Sequence, residues 1–183
     1  MSIEETFIQG CYVLTPRVFE DERGYFFESF NRNHFEEATG RSINFVQDNE
    51  SQSKKGVLRG LHFQRGDHAQ SKLVRVTRGK VLDVCVDLRQ DSKTFGAHFS
   101  IILDAVKKQQ LFIPKQFAHG FLVLENDTIF TYKCDNFYNK ESEAGIIYND
   151  MTLNIDWQVH DSELIISEKD LSLPTFNDLF HDD

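Results

Sequence analysis

The sequence predicts an all-β sandwich or barrel rather than a parallel α/β fold. Short runs of β-branched and aromatic residues recur between turn residues and give about nine or ten strands, against one segment with a helical pattern. Seventeen Phe and five Tyr, with only three Pro, supply the packing area that such strands need. A chain of 183 residues with 40% hydrophobic residues suits one well-buried core, so we expect a single domain over residues 1–183.

The N-terminal segment alternates strands with one helix. Residues 6–16 alternate enough to form a first strand, which the proline at its end stops or restricts to a sheet edge. Residues 18–30 contain an acidic turn and then an aromatic strand, and Gly24 supplies the positive φ that the turn requires. Residues 31–39 predict a short helix with Gly40 as its C-cap.

The next strand ends in a polar cluster. Residues 43–49 have strand character, and the stretch ends in side-chain amides and hydroxyls without apolar partners. Such a cluster is typical of a loop, and it is also the chemistry that reads the edge of a sugar or a base. Its members are Gln47, Asn49, Ser51 and Ser53.

The chemistry of the chain concentrates in residues 54–75. Two apolar, β-branched runs joined by a polar loop predict two strands that present a histidine among several cations. A histidine that titrates near neutrality beside fixed positive charge is the minimum equipment for removing a proton next to a carbonyl and holding the resulting oxyanion. The polar residues on these strands are Arg59, His62, Gln64, Lys72 and Arg75.

Further strands follow in pairs. Residues 77–79 predict a hairpin turn between residues 73–76 and residues 80–88, and residues 98–103 with 110–113 predict another pair.

The next apolar strand, residues 114–124, is interrupted at His119, which we expect where a backbone or ligand approaches closely. Residues 128–137 form a strand that carries Tyr132 on the same alternation phase as Tyr138.

The distribution of charge restricts the partners. The net charge of −9 argues against a nucleic-acid binder. Residues 51–80 nevertheless hold eight Lys or Arg and one acid, Asp67, which is either a solvated charged face or a site for a small anion such as a phosphate or nucleotide ester.

The cysteines and the N-terminus indicate the compartment. The three cysteines are odd in number and lack CxxC spacing, so we expect reduced thiols in a reducing cytoplasm. The N-terminal residues lack the features of a signal peptide, and no window approaches the length of an apolar membrane span. A soluble, cytoplasmic protein without membrane contacts is expected.

Three common chemistries fail on spacing. His62 is followed by Phe63-Gln64 and lacks the HxH pattern of a metal site, and the chain has neither the GxSxG of a serine hydrolase nor a Gly-rich phosphate loop. A histidine, a lysine, a tyrosine and several arginines in a β-scaffold remain, which suits acid/base catalysis without a cofactor, although lone histidines are mostly structural.

Five segments resemble dTDP-4-dehydrorhamnose 3,5-epimerases. They are DERGYFFESF at 21–30, VQDNESQS at 46–53, GVLRGLHFQ at 56–64, KLVRVTRGKVLDVCVDLR at 72–89 and PKQFAHGFLVL at 114–124. The resemblance implies a cupin-like antiparallel jelly-roll barrel with short peripheral helices, a homodimer, a dTDP-sugar substrate, and no metal or organic cofactor.

The resemblance also implies roles for individual residues. It matches the family's base to His62, the carboxylate that supports the base to Asp170, the acid to Tyr132, and the enolate-stabilising lysine to Lys72. The positions matched to substrate binding are Arg23, Glu28, Gln47, Asn49, Arg59, His119, Tyr138, Glu143 and Lys169. In the family, the strand with Arg23 and Glu28 pairs across a dimer, so each active site would be shared between two chains.

The implied activity is epimerisation of dTDP-4-dehydro-6-deoxy-D-glucose at C3 and C5, the third step of dTDP-L-rhamnose synthesis. Two alternatives remain open on the sequence. One is a 3-only or 5-only epimerase of a related deoxysugar pathway, and the other is a binding barrel that has lost catalysis. The intact set of His62, Lys72 and Tyr132 argues against a binding barrel, which needs no base and acid.

Overall fold

The computed structural model describes residues 1–180. Strands dominate, with short helices at the periphery. The strands are β1 Ser2–Glu5, β2 Tyr12–Thr15, β3 Phe19–Asp21, β4 Gly24–Phe26, β5 Gln47–Ser53, β6 Leu58–Gln64, β7 Lys72–Arg78, β8 Lys80–Asp87, β9 His98–Asp104, β10 Gln110–Ile113, β11 Phe117–Val123, β12 Thr128–Cys134 and β13 Glu143–Gly145. The helices are α1 Arg32–Thr39, α2 Glu168–Leu171 and α3 Phe176–Phe180, with 3₁₀ turns at Gly66–His68, Lys140–Ser142 and Asp161–Glu163.

Two antiparallel sheets make up the body of the molecule. The six-stranded sheet has the order β1-β2-β10-β7-β12-β5, and the five-stranded sheet has the order β13-β6-β11-β8-β9. Their inner faces pack apolar side chains against one another, and those side chains include Val74 and Phe130 from the first sheet and Val81, Phe121 and Val123 from the second. This arrangement confirms the predicted sandwich of short strands.

The outer faces of both sheets are also covered. The C-terminal segment packs Trp157 and Phe176 against the five-stranded sheet. Helix α1 packs Phe35 against Tyr12 and Phe112 on the six-stranded sheet. The side-chain oxygen of Asn31 caps the helix, and Gly40 ends it in the left-handed conformation at φ 66°, as predicted.

The predicted first strand was wrong in its extent. Residues 2–15 form a hairpin in which Ser2 of β1 lies opposite Thr15 of β2, and the segment between the strands turns. Strand β2 lies between β1 and β10, so the following proline ends the strand without restricting it to an edge. The turn was missed because the residues between the strands keep an apolar alternation.

Two predicted strand pairings were also wrong. Strands β7 and β8 flank Gly79 but belong to different sheets, and so do β9 and β10. The turn at Gly79, with φ 79°, carries the chain from one sheet to the other. A glycine turn between two apolar runs is compatible with a hairpin and with such a crossing, and the local sequence does not distinguish them.

The polar cluster after residue 46 is a strand. The strand predicted over residues 43–49 is displaced toward the C-terminus, since it begins at Gln47. The interpretation of the polar cluster as a loop was wrong, because Gln47–Ser53 pairs along its whole length with β12. Strand β5 is the edge strand of its sheet, which explains why it lacks an apolar face. Strand β12 ends at Cys134, so Tyr138 lies in the loop that follows it.

The backbones of β6 and β11 contact each other directly at Gly60 and Gly120, beside His62 and His119. A Cβ atom on Gly120 would lie 2.8 Å from the carbonyl oxygen of Arg59, and one on Gly60 would lie 2.5 Å from the Cα of Gly120. His119 therefore precedes a glycine because the neighbouring backbone approaches closely, as the sequence predicted.

We expect Gly120→Ala to destabilise the protein by about 1 to 3 kcal/mol, because the added methyl group meets rigid backbone. Urea unfolding checks this value. Gly66→Ala is the matched control, since a Cβ there has no heavy atom within 4 Å and only the left-handed backbone opposes it. A Gly120→Ala protein as stable as the unsubstituted protein would contradict the contact, and Gly66→Ala shows the loss that a left-handed backbone alone produces.

Candidate active site

A cavity of about 800 Å³ opens between the two sheets. The five-stranded sheet lines it with Arg59 and His62 from β6 and His119 from β11, and the six-stranded sheet lines it with Lys72 from β7 and Tyr132 from β12. The fold therefore places the predicted base and the predicted acid on opposite walls of one cavity.

A C-terminal strap, residues 164–173, closes a third side of the cavity. The amide of Leu58 donates to the carbonyl of Ile165 at 3.1 Å, and the amide of Ile165 donates to the carbonyl of Gly56 at 2.8 Å. These bonds bring Lys169 and Asp170 of α2 beside strand β6.

His62 and Asp170 form a hydrogen-bonded pair. The Nε2 atom of His62 lies 2.8 Å from Oδ1 of Asp170, and the amide of Gly60 donates to Oδ2 at 3.2 Å. Burial alone raises the pKa of Asp170, but the bonds from His62, Gly60 and Ser167 lower it overall. The carboxylate stays ionised and accepts a hydrogen bond from the N–H group at Nε2, which leaves the lone pair on Nδ1 of His62.

Lys72 and Tyr132 are neighbours on the opposite wall. The Nζ atom of Lys72 lies 5.8 Å from the centroid of the Tyr132 ring. Burial lowers the pKa of Lys72 and raises the pKa of Tyr132. The phenol therefore keeps its proton at neutral pH and can act as a donor.

His119 forms a second histidine–carboxylate pair. Its Nε2 atom lies 3.0 Å from Oδ2 of Asp83, on the neighbouring strand β8. Both side chains are buried. Sequence reasoning assigned His119 to the site and missed Asp83, although an acid in the middle of the apolar run 81–88 was a signal that could have identified it.

Polar side chains extend the cavity along the edge strand β5. The amide nitrogen of Gln47 donates to Oδ1 of Asn49 at 3.0 Å. Arg59 is exposed, and its guanidinium reaches Ser53 at 3.3 Å. A guanidinium has five donors in a planar fork, so it suits a diphosphate better than a lysine does even with one donor on Ser53.

An adjoining cavity of about 290 Å³ holds another group of predicted residues. The hydroxyl of Tyr138 donates to Oε2 of Glu143 at 2.9 Å, and Nζ of Lys169 donates to the same oxygen at 2.6 Å. These bonds tie the loop after β12 to the strap, so the ring of Tyr138 lies half-exposed at the cavity rim.

Arg23 and Glu28 lie apart from these residues in the chain described here. Arg23 sits at the tip of the β3–β4 hairpin, where its side chain is 84% exposed and pairs with Asp21. Glu28 is exposed and bonds Asn31. Neither lines the main cavity.

Within residues 1–180, no cluster of three or more His, Cys, Asp or Glu side chains is arranged to hold a metal ion. No helix in this part of the chain has the length and apolar character needed to span a membrane.

Comparison with known proteins identifies the family. The model of the dTDP-4-dehydrorhamnose 3,5-epimerase family matches residues 5–178. The dTDP-4-dehydrorhamnose 3,5-epimerase of Escherichia coli is 52% identical over 179 residues, covering 98% of this chain and 96% of that protein. This chain belongs to the dTDP-4-dehydrorhamnose 3,5-epimerase family.

Solved structures of family members have the same fold. The dTDP-4-dehydrorhamnose 3,5-epimerase from Elizabethkingia anophelis superimposes with a TM-score of 0.94 at 53% identity, over 97% of each chain. The dTDP-6-deoxy-D-glucose-3,5-epimerase from Legionella pneumophila, in complex with dTDP-4-keto-L-rhamnose, gives 0.92 at 45% identity over 96% of this chain and 93% of that one. The cupin-like jelly-roll predicted for this epimerase is confirmed.

The lowered pKa of Asp170 makes the stability of this epimerase depend on pH. A carboxyl whose folded-state pKa lies below its ordinary value of 3.8 stabilises the fold above that pH, and the contribution is lost as the pH falls through the lower, folded-state value. We expect Asp170→Asn to reduce the free energy of unfolding more at about pH 7 than at about pH 3.

Urea unfolding at both pH values measures this difference. Glu168→Gln is the matched control, because it makes the same change of charge at an exposed position of the same short helix. A loss in Asp170→Asn that is the same at both pH values would contradict the paired carboxylate.

Proposed function

We propose that this chain epimerises dTDP-4-dehydro-6-deoxy-D-glucose at both C3 and C5, giving dTDP-4-dehydro-L-rhamnose without a cofactor. The observation that supports the proposal most is the arrangement of the cavity. A carboxylate-supported imidazole, His62, lies on one sheet, and a lysine and a phenol, Lys72 and Tyr132, lie on the other.

One base serves both carbons. The C–H bonds at C3 and C5 are acidic because both carbons are adjacent to the C4 carbonyl, and both enolates place their charge on the same oxygen. His62 removes each proton through the nitrogen that does not face Asp170. Asp170 holds the imidazole in the required tautomer and stabilises the imidazolium that forms.

Lys72 stabilises the enolate oxygen. Burial disfavours its ammonium form, which is why its pKa is lowered. A negative charge that develops on the neighbouring oxygen compensates the ammonium, so this interaction is stronger in the transition state than in the ground state.

Tyr132 returns the proton to the opposite face of the ring. Inversion requires an acid across the sugar from the base, and Tyr132 lies on the opposite sheet from His62. Its raised pKa keeps the donor proton in place.

The rest of the site holds the nucleotide. Arg59 contacts the diphosphate, Gln47 and Asn49 bind polar edges of the substrate, and Tyr138 offers an aromatic face at the cavity rim. Glu143 and Lys169 hold Tyr138 and the strap in position. His119 contacts the sugar from the wall that carries His62.

A second copy of the chain completes the site. The β3–β4 hairpin leaves Phe19, Tyr25 and Phe26 51%, 60% and 72% exposed to solvent. This is a large apolar area for a hairpin whose strands have three residues each. In a homodimer this hairpin pairs with the partner and brings Arg23 and Glu28 to the partner's nucleotide, where Arg23 adds a second guanidinium for the diphosphate.

The thiols support a reducing, cytoplasmic location. All three cysteines are free and buried, and the thiols of Cys11 and Cys85 share a hydrogen bond at 3.7 Å and form no disulfide. Burial raises the pKa of Cys134 to about 11, which leaves that thiol unreactive.

Solvent deuterium tests the function and separates it from its alternatives. In deuterated water the product is expected to carry label at both C3 and C5, as read by NMR. A 3-only or 5-only epimerase labels one position, and a binding barrel labels neither. His62→Asn is expected to fold and to bind dTDP, but to label neither carbon, because it lacks the proton acceptor. Abundant turnover by the folded His62→Asn protein would rule out its role.

Tyr132→Phe tests the acid. The variant keeps the aromatic ring and loses only the hydroxyl, so His62 still exchanges protons while inversion fails. We expect deuterium to enter the substrate without formation of the epimer. Normal product formation would remove Tyr132 from the mechanism.

Mixed dimers test the shared site. Arg23→Ala chains and His62→Asn chains are each expected to be inactive, whereas co-expression restores part of the activity because one site of each mixed dimer has every residue intact. Differently tagged chains allow the mixed dimers to be isolated. Verified mixed dimers that stay as inactive as either parent would show that Arg23 acts within its own chain.

A further inference from the structure

Asp83 is a buried carboxylate that the proposed chemistry does not use. It lies in the middle of β8, on the face that points into the interior between the sheets, and its side chain is 0% exposed. Within residues 1–180 its carboxylate accepts side-chain hydrogen bonds from one group, the Nε2 atom of His119, at 3.2 Å to Oδ1 and 3.0 Å to Oδ2. A buried carboxylate with so few partners is costly, so its interaction with His119 is the feature to explain.

The pairing determines which nitrogen of His119 carries a proton. A carboxylate only accepts, so Nε2 must donate to Asp83. The Nδ1 atom of His119 makes no hydrogen bond to the described residues. Among those residues, every side-chain nitrogen or oxygen that is inaccessible to solvent has a hydrogen-bond partner, so Nδ1 is not one of the inaccessible atoms. The Nδ1 atom of His119 therefore opens onto the cavity that His119 lines.

Burial keeps His119 neutral, although the carboxylate of Asp83 favours the charged imidazolium. Lys72 on the opposite wall and His62 on the adjacent strand disfavour a second positive charge, and Asp83 opposes them. Burial is the largest effect and lowers the pKa of His119 overall. A neutral imidazole that donates through Nε2 presents a lone pair at Nδ1.

We propose that Asp83 is a positioning residue, which holds His119 so that Nδ1 accepts a hydrogen bond from a ring hydroxyl of the sugar. This inference rests on the proposed function, since it concerns the same substrate. The two walls of the cavity then have different roles. Lys72 on one sheet stabilises the enolate oxygen, and His119 on the other sheet fixes the rotation of the sugar ring relative to His62. The site discriminates against a sugar that lacks the hydroxyl, because Nδ1 would then be buried without a partner.

The tautomer is measured directly on the native protein. Long-range proton–nitrogen NMR of the enzyme labelled with ¹⁵N-histidine shows which ring nitrogen carries the proton, and His119→Asn assigns the signal. We expect neutral His119 with its proton on Nε2 at neutral pH. A proton on Nδ1, or on both nitrogens, overturns the proposal. This measurement needs no turnover, so it stands even if the proposed substrate is wrong.

Kinetics tests whether Asp83 acts through His119. Asp83→Leu removes the acceptor and is expected to lower kcat on the order of 10- to 100-fold, the loss typical of removing the partner that orients a functional histidine. The affinity for dTDP, measured by calorimetry, is expected to stay unchanged, because the nucleotide residues lie elsewhere. Asp83→Asn keeps an acceptor oxygen and is expected to recover most of kcat. The double variant Asp83→Leu/His119→Asn is expected to be no slower than His119→Asn alone.

Asp87→Asn is the matched control. Asp87 is the other fully buried carboxylate on the same face of β8, and its partners are Arg89, Ser92 and Thr94. We expect this variant to lose stability without losing kcat per folded molecule. Additive losses in the double variant, or an Asp83→Asn enzyme as slow as Asp83→Leu, overturn the proposal. If Asp83→Leu does not fold, the tautomer and Asp83→Asn still decide it. Absence of deuterium exchange in the native enzyme would instead contradict the proposed function.

Discussion

The hydrogen bond between His62 and Asp170 joins parts of the chain that are 108 residues apart. The strap must lie along β6 to bring Asp170 into place, and the backbone bonds at Ile165 hold it there. Ser167 caps the short helix that carries Asp170, and the amide of Gly60 occupies the other carboxylate oxygen. With a hydrogen bond to each of its oxygens, the carboxylate tolerates burial and fixes the imidazole, so the orientation of the proposed base depends on the placement of the C-terminal segment.

The two-sheet architecture explains why the remaining groups face this base. A single sheet presents its functional side chains on one side of a ligand, whereas a cavity between two sheets surrounds it. His62, Lys72 and Tyr132 project from strands whose inward positions otherwise fill the core, and the core stops where these polar residues begin. Each buried carboxylate beside this space has a histidine partner, Asp83 with His119 and Asp170 with His62, as expected where desolvation makes an unpaired charge expensive.

The sequence predicted the strands better than their partners. Period-two alternation identified the cores of β6, β7, β8, β11 and β12, and helix α1 was placed by Asn31 and Gly40 because capping is local chemistry. Pairing is not local. The turn at Gly79 looks like a hairpin from its residues, yet it crosses between sheets because β7 pairs with β10 and β12, which come later in the chain. The polar cluster in β5 was interpreted as a loop because it lacks the apolar alternation of a strand, and its pairing with β12 is not visible in the local sequence.

The residues of the site show the same difference between local and non-local signals. His62 and Lys72 are close in sequence and were identified from their setting, whereas Asp170 and Tyr132 entered through the family resemblance, since no spacing rule links residues so far apart. Asp83 was missed because its role depends on the neighbouring strand. Arg23 and Glu28 lie outside the main cavity of their own chain, and the sequence alone carries no geometric signal for the partner role proposed for them.

The crystal structure of His62→Asn with dTDP-4-dehydro-6-deoxy-D-glucose bound tests the account most directly. It predicts a sugar ring between the two sheets, with C3 and C5 facing residue 62, the C4 oxygen within hydrogen-bonding distance of Nζ of Lys72, and the hydroxyl of Tyr132 on the opposite face of the ring. A sugar with residue 62 and Tyr132 on the same face, or with Lys72 remote from the C4 oxygen, would contradict it.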